Sequence, residues 1–332
     1  MSVNRCAAGL FAVAFVLGVV CVPARAAGQG GETIGVITEI KVRLGRVEVK
    51  PAGTGEWRQA GPLLALRPGD VVRATENASV VVLLTGGRGS VRVDAARSPY
   101  VLPAPQPGES KTQKVRGLVE SSLRFLASGA KEPLQAALAT RGRTHPSVIL
   151  SPRNGPLLPD SLSFEWLASR FSRYTITIVG PAGPILERKG LAETRFEYPS
   201  DAPSLVPGVR YRFQVLSGNH PPQEAWFEIL DPDRAQAIRR DMSELEQSLG
   251  TTVSANSLAA LKVGFLASEG LIHDARLSLI AALTKDPDEP TLHLLLGNLY
   301  IEAGLPEMAA EAYDEARFLV TRPEKSAEPA RR

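Results

Sequence analysis

A stretch near the C-terminus repeats itself. Gly270, Ala275 and Ala282 return as Gly304, Ala309 and Ala316, each shifted by 34 residues. A period of about 34 residues with small side chains at these places marks a stacked helical hairpin, in which alanine and glycine let the facing helices approach. Each hairpin leaves an apolar face that only a neighbour can cover, so such arrays present a concave surface and usually bind another protein. A further helix is expected over 232–249. Asp231-Pro232-Asp233 provides its start, and Ile238, Met242, Leu245 and Leu249 keep helical spacing up to Gly250. Two hairpins and this helix barely reach the minimum of about three stacked units. The array must therefore lean on that helix, on a β module or on another chain.

The chain's 332 residues suggest two or three domains at roughly 150 residues each. Its 38 Lys+Arg against 35 Asp+Glu are too evenly balanced to argue for a nucleic-acid partner. Residues 1–26 read as an export signal: Arg5 is the positive n-region, Ala7 to Val22 the apolar run, and Ala24-Arg25-Ala26 the cleavage site. An uncleaved anchor is the competing reading, but Pro23 breaks the apolar run. A lipid-modified Cys21 is a third, opposed by Val20 and Gly18 where small residues and leucine are expected. Cys6 and Cys21 both lie inside the signal, so the exported chain would carry no thiol, disulfide or cysteine metal site. The expected location is the periplasm, with membrane contact only through a partner or an uncleaved signal.

From Thr33 the pattern turns to short strands. Val42, Leu44, Val47 and Val49 alternate with charged or small residues, and further strands are expected at 70–74, 79–84 and 90–94. Glycine and proline clusters separate them, which argues for an antiparallel β domain. Thr85-Gly86-Gly87-Arg88-Gly89-Ser90 lacks the lysine and the following helix of a phosphate-binding loop, and reads as a hairpin turn. The landmarks Gly45, Trp57, Leu66-x-x-Gly69-Asp70 and Thr75 resemble a FecR-type domain over about 65 residues, here 33–102. That family includes periplasmic parts of iron-uptake signalling regulators. Regulators of that kind carry a sigma-factor-binding segment and a transmembrane helix ahead of the β domain, where this chain has a signal peptide.

Residues 103–147 read as a linker with one amphipathic helix, marked by Val115, Val119, Leu123 and Leu126. Lys111, Lys114, Arg116, Arg124, Lys131, Arg141 and Arg143 make it basic, and with few aromatics among them they read as a solvated face. Residues 148–230 alternate again, at Leu162, Phe164 and Trp166 and at Tyr174, Ile176 and Ile178. Leu205-Val206-Pro207-Gly208-Val209-Arg210-Tyr211 resembles the corner of fibronectin type III domains. That resemblance implies a β-sandwich with Trp166 in its core and the Tyr211 hydroxyl tied back to the corner backbone. Trp166, Tyr174 and Tyr211 are also tested as a sugar-stacking platform, though alternating strand aromatics are more often core.

The C-terminal repeats resemble the tetratricopeptide family. Leu296-Gly297, Tyr300, Gly304, Ala309, Tyr313 and Ala316 fall on its landmark positions in the second hairpin. Gly270, Ala275, Leu279, Ala282 and Pro287 do so in the first, where Val263 and Leu266 replace the usual glycine and tyrosine. The tail at 322–332 reads as disordered. The fold class expected is multidomain α+β: an all-β FecR-like domain, an immunoglobulin/fibronectin III-like sandwich, and an all-α array over 231–321.

Catalytic signatures are missing from the sequence. His273-Asp274 is the one adjacent histidine–carboxylate pair, and side chains at i and i+1 of a helix diverge. His273 and His293 could meet between packed helices, but a third metal ligand does not suggest itself. His145 and His220 each precede a proline in a loop. No cofactor is expected. The expected function is a non-catalytic exported scaffold that binds a protein or peptide of the bacterial envelope in the repeat groove. A periplasmic signal relay and a peptidoglycan-binding protein are the alternatives.

Overall fold

The computed structural model describes residues 33–104, 113–128, 147–160, 162–169 and 173–321. The segment 1–26 expected to be an export signal, Lys111, Lys131, Arg141, Arg143, His145 and residues 322–332 lie outside the described residues. The described chain is mixed α+β, with mostly antiparallel sheets in the N-terminal half and helices in the C-terminal part. No helix among the described residues is long and apolar enough to cross a membrane.

Eight strands come first: β1 (Gly35–Val42), β2 (Val47–Lys50), β3 (Arg58–Gln59), β4 (Ala65–Leu66), β5 (Val71–Ala74), β6 (Ala78–Leu84), β7 (Ser90–Asp94) and β8 (Tyr100–Val101). They form two four-stranded sheets, ordered β4-β1-β6-β7 and β3-β2-β5-β8, around Ile37, Ile40, Val49, Val72, Val82 and Val93. The expected strands at 70–74, 79–84 and 90–94 correspond to β5, β6 and β7, and 85–89 is the turn joining β6 to β7. Leu44 departs from expectation. It lies in the turn after β1, 53% exposed, because Gly45 with φ of 80° reverses the chain there.

The glycine-rich landmarks of this module have local causes. A Cβ on Gly45 would stand 2.3 Å from the carbonyl oxygen of Thr75, whose hydroxyl accepts the Arg46 amide at 3.0 Å. Asp70 is buried and accepts the amides of Ala52 and Arg67, both at 2.8 Å, which fixes the turn carrying Gly69. Trp57 lies under the Arg73 guanidinium, 3.9 Å from the ring centre.

Helix α1 (Gln113–Ser128) follows, then β9 (Ile149–Ser151), β10 (Gly155–Leu157), β11 (Ser163–Trp166) and β12 (Tyr174–Gly180). The second β module ends with β13 (Gly183–Leu191), β14 (Arg195–Glu197), β15 (Arg210–Ser217) and β16 (Gln223–Ile229). A five-stranded sheet, β10-β16-β15-β12-β13, faces a three-stranded one, β14-β11-β9, and only the β10–β16 pair is parallel. Phe164, Trp166, Tyr174, Tyr211, Phe213 and Phe227 meet in the core, with Phe164 and Phe213 ring centres 4.8 Å apart. The Tyr211 hydroxyl accepts the Val206 amide at 2.7 Å, closing the corner. With Trp166, Tyr174 and Tyr211 only 2–3% exposed, these rings offer no platform to a sugar.

Five helices complete the chain: α2 (Pro232–Leu249), α3 (Ala255–Ser268), α4 (Ile272–Lys285), α5 (Pro290–Glu302) and α6 (Pro306–Thr321). The 34-residue echo extends to the backbone. Gly270 and Gly304 take φ of 78° and 71°, and the next amides, Leu271 and Leu305, bond back to Leu266 and Tyr300. Ala275, Ala282, Ala309 and Ala316 are buried. Tyr313 packs against Gly297, where an added Cβ would stand 2.2 Å from its ring, and its hydroxyl donates to Asn298 at 2.9 Å.

Helix α1 is the third layer of the array. Val115, Val119, Leu123 and Leu126 are buried as their spacing implies, and they share one core with α3, α4 and α5. α1 runs so close to α3 that a Cβ on Gly264 would stand 2.8 Å from the Ser122 carbonyl oxygen. Lys114, on the polar side, pairs with Asp241 and Glu244 of α2. Gly264→Ala is therefore expected to destabilise the protein by about 1–3 kcal/mol through overpacking. Helix propensity alone would favour the same change by about 1 kcal/mol. An unchanged or raised urea midpoint would contradict the α1–α3 packing.

Candidate functional site

Strand β1 is buried on both faces from Gly35 to Ile40. One side joins the β core through Ile37 and Ile40, while Val36 joins the helical core. Two polar residues, Thr38 and Glu39, are buried with it and must find partners. They find them at the N-terminal end of α3, and the next backbone amide, that of Ile40, finds the start of α5. Thr38 Oγ1 lies 2.7 Å from Ser257 Oγ, and Ser254 Oγ donates to Glu39 Oε1. The Ile40 amide donates to Glu289 Oε1 at 3.1 Å. Ser254 and Glu289 are also the caps of α3 and α5, accepting the amides of Ser257 and Thr291. The two capping residues thus bind the strand and start the helices at once.

Charge at this seam is uneven. Burial pushes the Glu289 carboxyl up to about 7 from an ordinary 4.5, against the hydrogen bonds of Ile40 and Thr291, and nearby Glu39 raises it further. Its Oε2 has no hydrogen-bond partner among the described residues. At the rim, Lys41 Nζ lies 2.8 Å from Asp286, which Asn256 also binds at 2.7 Å. That hydrogen bond lifts the Lys41 pKa. Burial works against the Asp286 charge, yet Lys41 and Asn256 outweigh it and hold its carboxyl below the usual range.

A second seam joins α4 to the later β module. His273 Nδ1 lies 2.5 Å from Ser151 Oγ, and Asp274 accepts the Leu158 amide at 3.1 Å. The neighbours thus reach different segments, His273 the end of β9 and Asp274 the residue after β10. A serine–histidine contact can activate a nucleophile. Here both residues are buried, 2% and 5% exposed, and the contact joins a strand to a helix. Arg276 Nη1 reaches Glu165 Oε2 at 2.7 Å, and Arg153 Nε donates to the Ala303 carbonyl at 2.9 Å. His293 donates to the Pro287 carbonyl at 2.7 Å, so the two histidines of the repeats serve different partners. Among the described residues, no group of His, Cys, Asp and Glu could hold a metal ion.

The groups that join the modules were not among the predicted landmark residues. Thr38, Glu39, Ser151, Glu165, Arg276 and Glu289 give no signal in the sequence beyond being polar within apolar surroundings. Buried polar side chains at helix caps and inside a two-faced strand are the one trace such a seam leaves. No protein-family model matches the chain, and no curated protein matches it.

Proposed function

We propose that this chain is an exported, non-catalytic scaffold of the bacterial cell envelope that binds other proteins. In this reading it comprises a FecR-like domain (33–102), a fibronectin III-like sandwich (148–230) and a tetratricopeptide-like array (231–321). The two β domains and the array act as one platform. The β1 seam carries the reading, because there the first β module and two array helices satisfy one another's buried polar groups. A body joined this way holds its surfaces at fixed separations, which suits a scaffold better than an independent relay domain. The ends of α3 and α5 are engaged by β1, so a partner docks elsewhere on the body. Affinity capture of the signal-free chain from envelope extract is expected to recover a saturable protein partner. Recovery of none would contradict the proposal.

A further inference from the structure

The open end of the array forms a trough with two unlike ends. Between α6 and the β3–β4 loop is a cleft of about 360 Å3 whose floor includes Leu294, Tyr313, Ala316 and Val320. A second cleft of about 600 Å3 adjoins it, sharing Gln59, Val320 and Thr321, and is lined by Arg43 and Arg46 beside the exposed Leu44. Glu48 also lines this end, but its carboxylate is engaged by Arg73 at 2.7 Å. The first cleft is also lined by Arg317, which pairs with Asp314 at 3.3 Å, whereas no carboxylate among the described residues pairs with Arg43 or Arg46, so the net positive charge of the trough gathers at their end.

The internal repeat indicates what covers such a floor. Leu294, Tyr313 and Ala316 stand 34 residues after Ala260, Leu279 and Ala282. Those earlier residues are buried in one core with Leu292, Leu295 and Leu299 of α5, which packs against α4. An apolar helix ridge therefore covers this face in the first hairpin. In the second hairpin the β3–β4 loop covers part of the corresponding face, with Leu63 fully buried, and the cleft remains beside it. The sequence after Thr321 is a poor occupant: it carries Arg322, Lys325, Arg331 and Arg332 against Glu324 and Glu328, and so repeats the charge of the trough.

We propose that the trough docks an amphipathic helix of a partner protein, its apolar ridge along the half-buried Leu294 and Val320, above the buried Tyr313 and Ala316, and its carboxylates toward Arg43 and Arg46. This rests on the scaffold reading above. The test places a photo-crosslinking amino acid at Gln59 or Val320 in the full chain in its native cells. Lys189, on the far β module, serves as control, and the captured peptides are sequenced. The expected adduct at Gln59 and Val320 is an acidic amphipathic segment of one other protein. Its yield should fall roughly tenfold or more in the Arg43→Glu/Arg46→Glu variant, since reversing both charges replaces attraction by repulsion. Circular dichroism checks that this exposed-site variant is folded. Adducts with residues 322–332, with a second copy, or with basic segments would overturn the proposal, as would a yield indifferent to charge reversal. Adducts at Lys189 alone would sink the trough and leave the scaffold reading standing, whereas none at any position would count against both.

Discussion

Glu289→Gln should remove a loss of stability of about 3 kcal/mol that the wild type suffers as pH rises from below 4.5 to above 7. Glu289 titrates near 7 in the folded chain against an ordinary 4.5. A carboxyl raised on folding contributes stability that is fully present below the unfolded value and is lost as pH rises through the folded one. The gap amounts to about 3 kcal/mol between the two limits. Two charged groups beside this seam titrate outside this window: the Asp286 carboxyl is held low and Lys41 is held high. Glutamine keeps an oxygen for the Ile40 and Thr291 amides and carries no charge to bury. Urea unfolding at pH 5 and pH 8 should show the wild type losing about 2.5 kcal/mol more than the variant. Parallel losses in both proteins would mean that Glu289 is not buried against β1.

Arg276→Ala should cost about 3–5 kcal/mol, the loss expected when one member of a buried ion pair is removed. The Arg276 side chain is 8% exposed and that of Glu165 18%, so the surviving carboxylate would stay largely out of water. Arg195 stands 3.5 Å from the other Glu165 oxygen, but its side chain is 60% exposed and its nearer partner is Glu197 at 2.6 Å. It can compensate only in part, which favours the lower end of that range. The double change Arg276→Met/Glu165→Gln should recover most of the loss, because a neutral pair leaves no charge behind. A single-variant loss below about 1 kcal/mol would show that this seam is solvated.

The features legible in the sequence were those governed by local rules. Gly270 and Gly304 mark the helix ends because only glycine takes their positive φ readily, and Val115 to Leu126 show a helical stripe whatever they pack against. Tyr211 could be placed at its corner because its partner, Val206, is five residues away. β1 was not legible as a unit. Buried on both faces, Gly35 to Ile40 lose the simple alternation, and Thr38 finds Ser257 across 219 positions while Ile40 finds Glu289 across 249. For the same reason α1 could be recognised as a helix but not as the layer covering α3. A partner that distant in sequence leaves no periodic trace.

The central claim is that the β modules and the helices form one cooperative body. The tryptophans allow a direct test, because Trp57, Trp166 and Trp226 all lie in the β modules, while far-ultraviolet ellipticity at the helical minimum reports mainly α1 to α6. Urea unfolding of the chain without residues 1–26, followed by both observables in one sample, is expected to give a single transition with coincident midpoints. Helical signal lost well before or after tryptophan fluorescence changes would show that the array folds apart from the β modules, and would contradict the account.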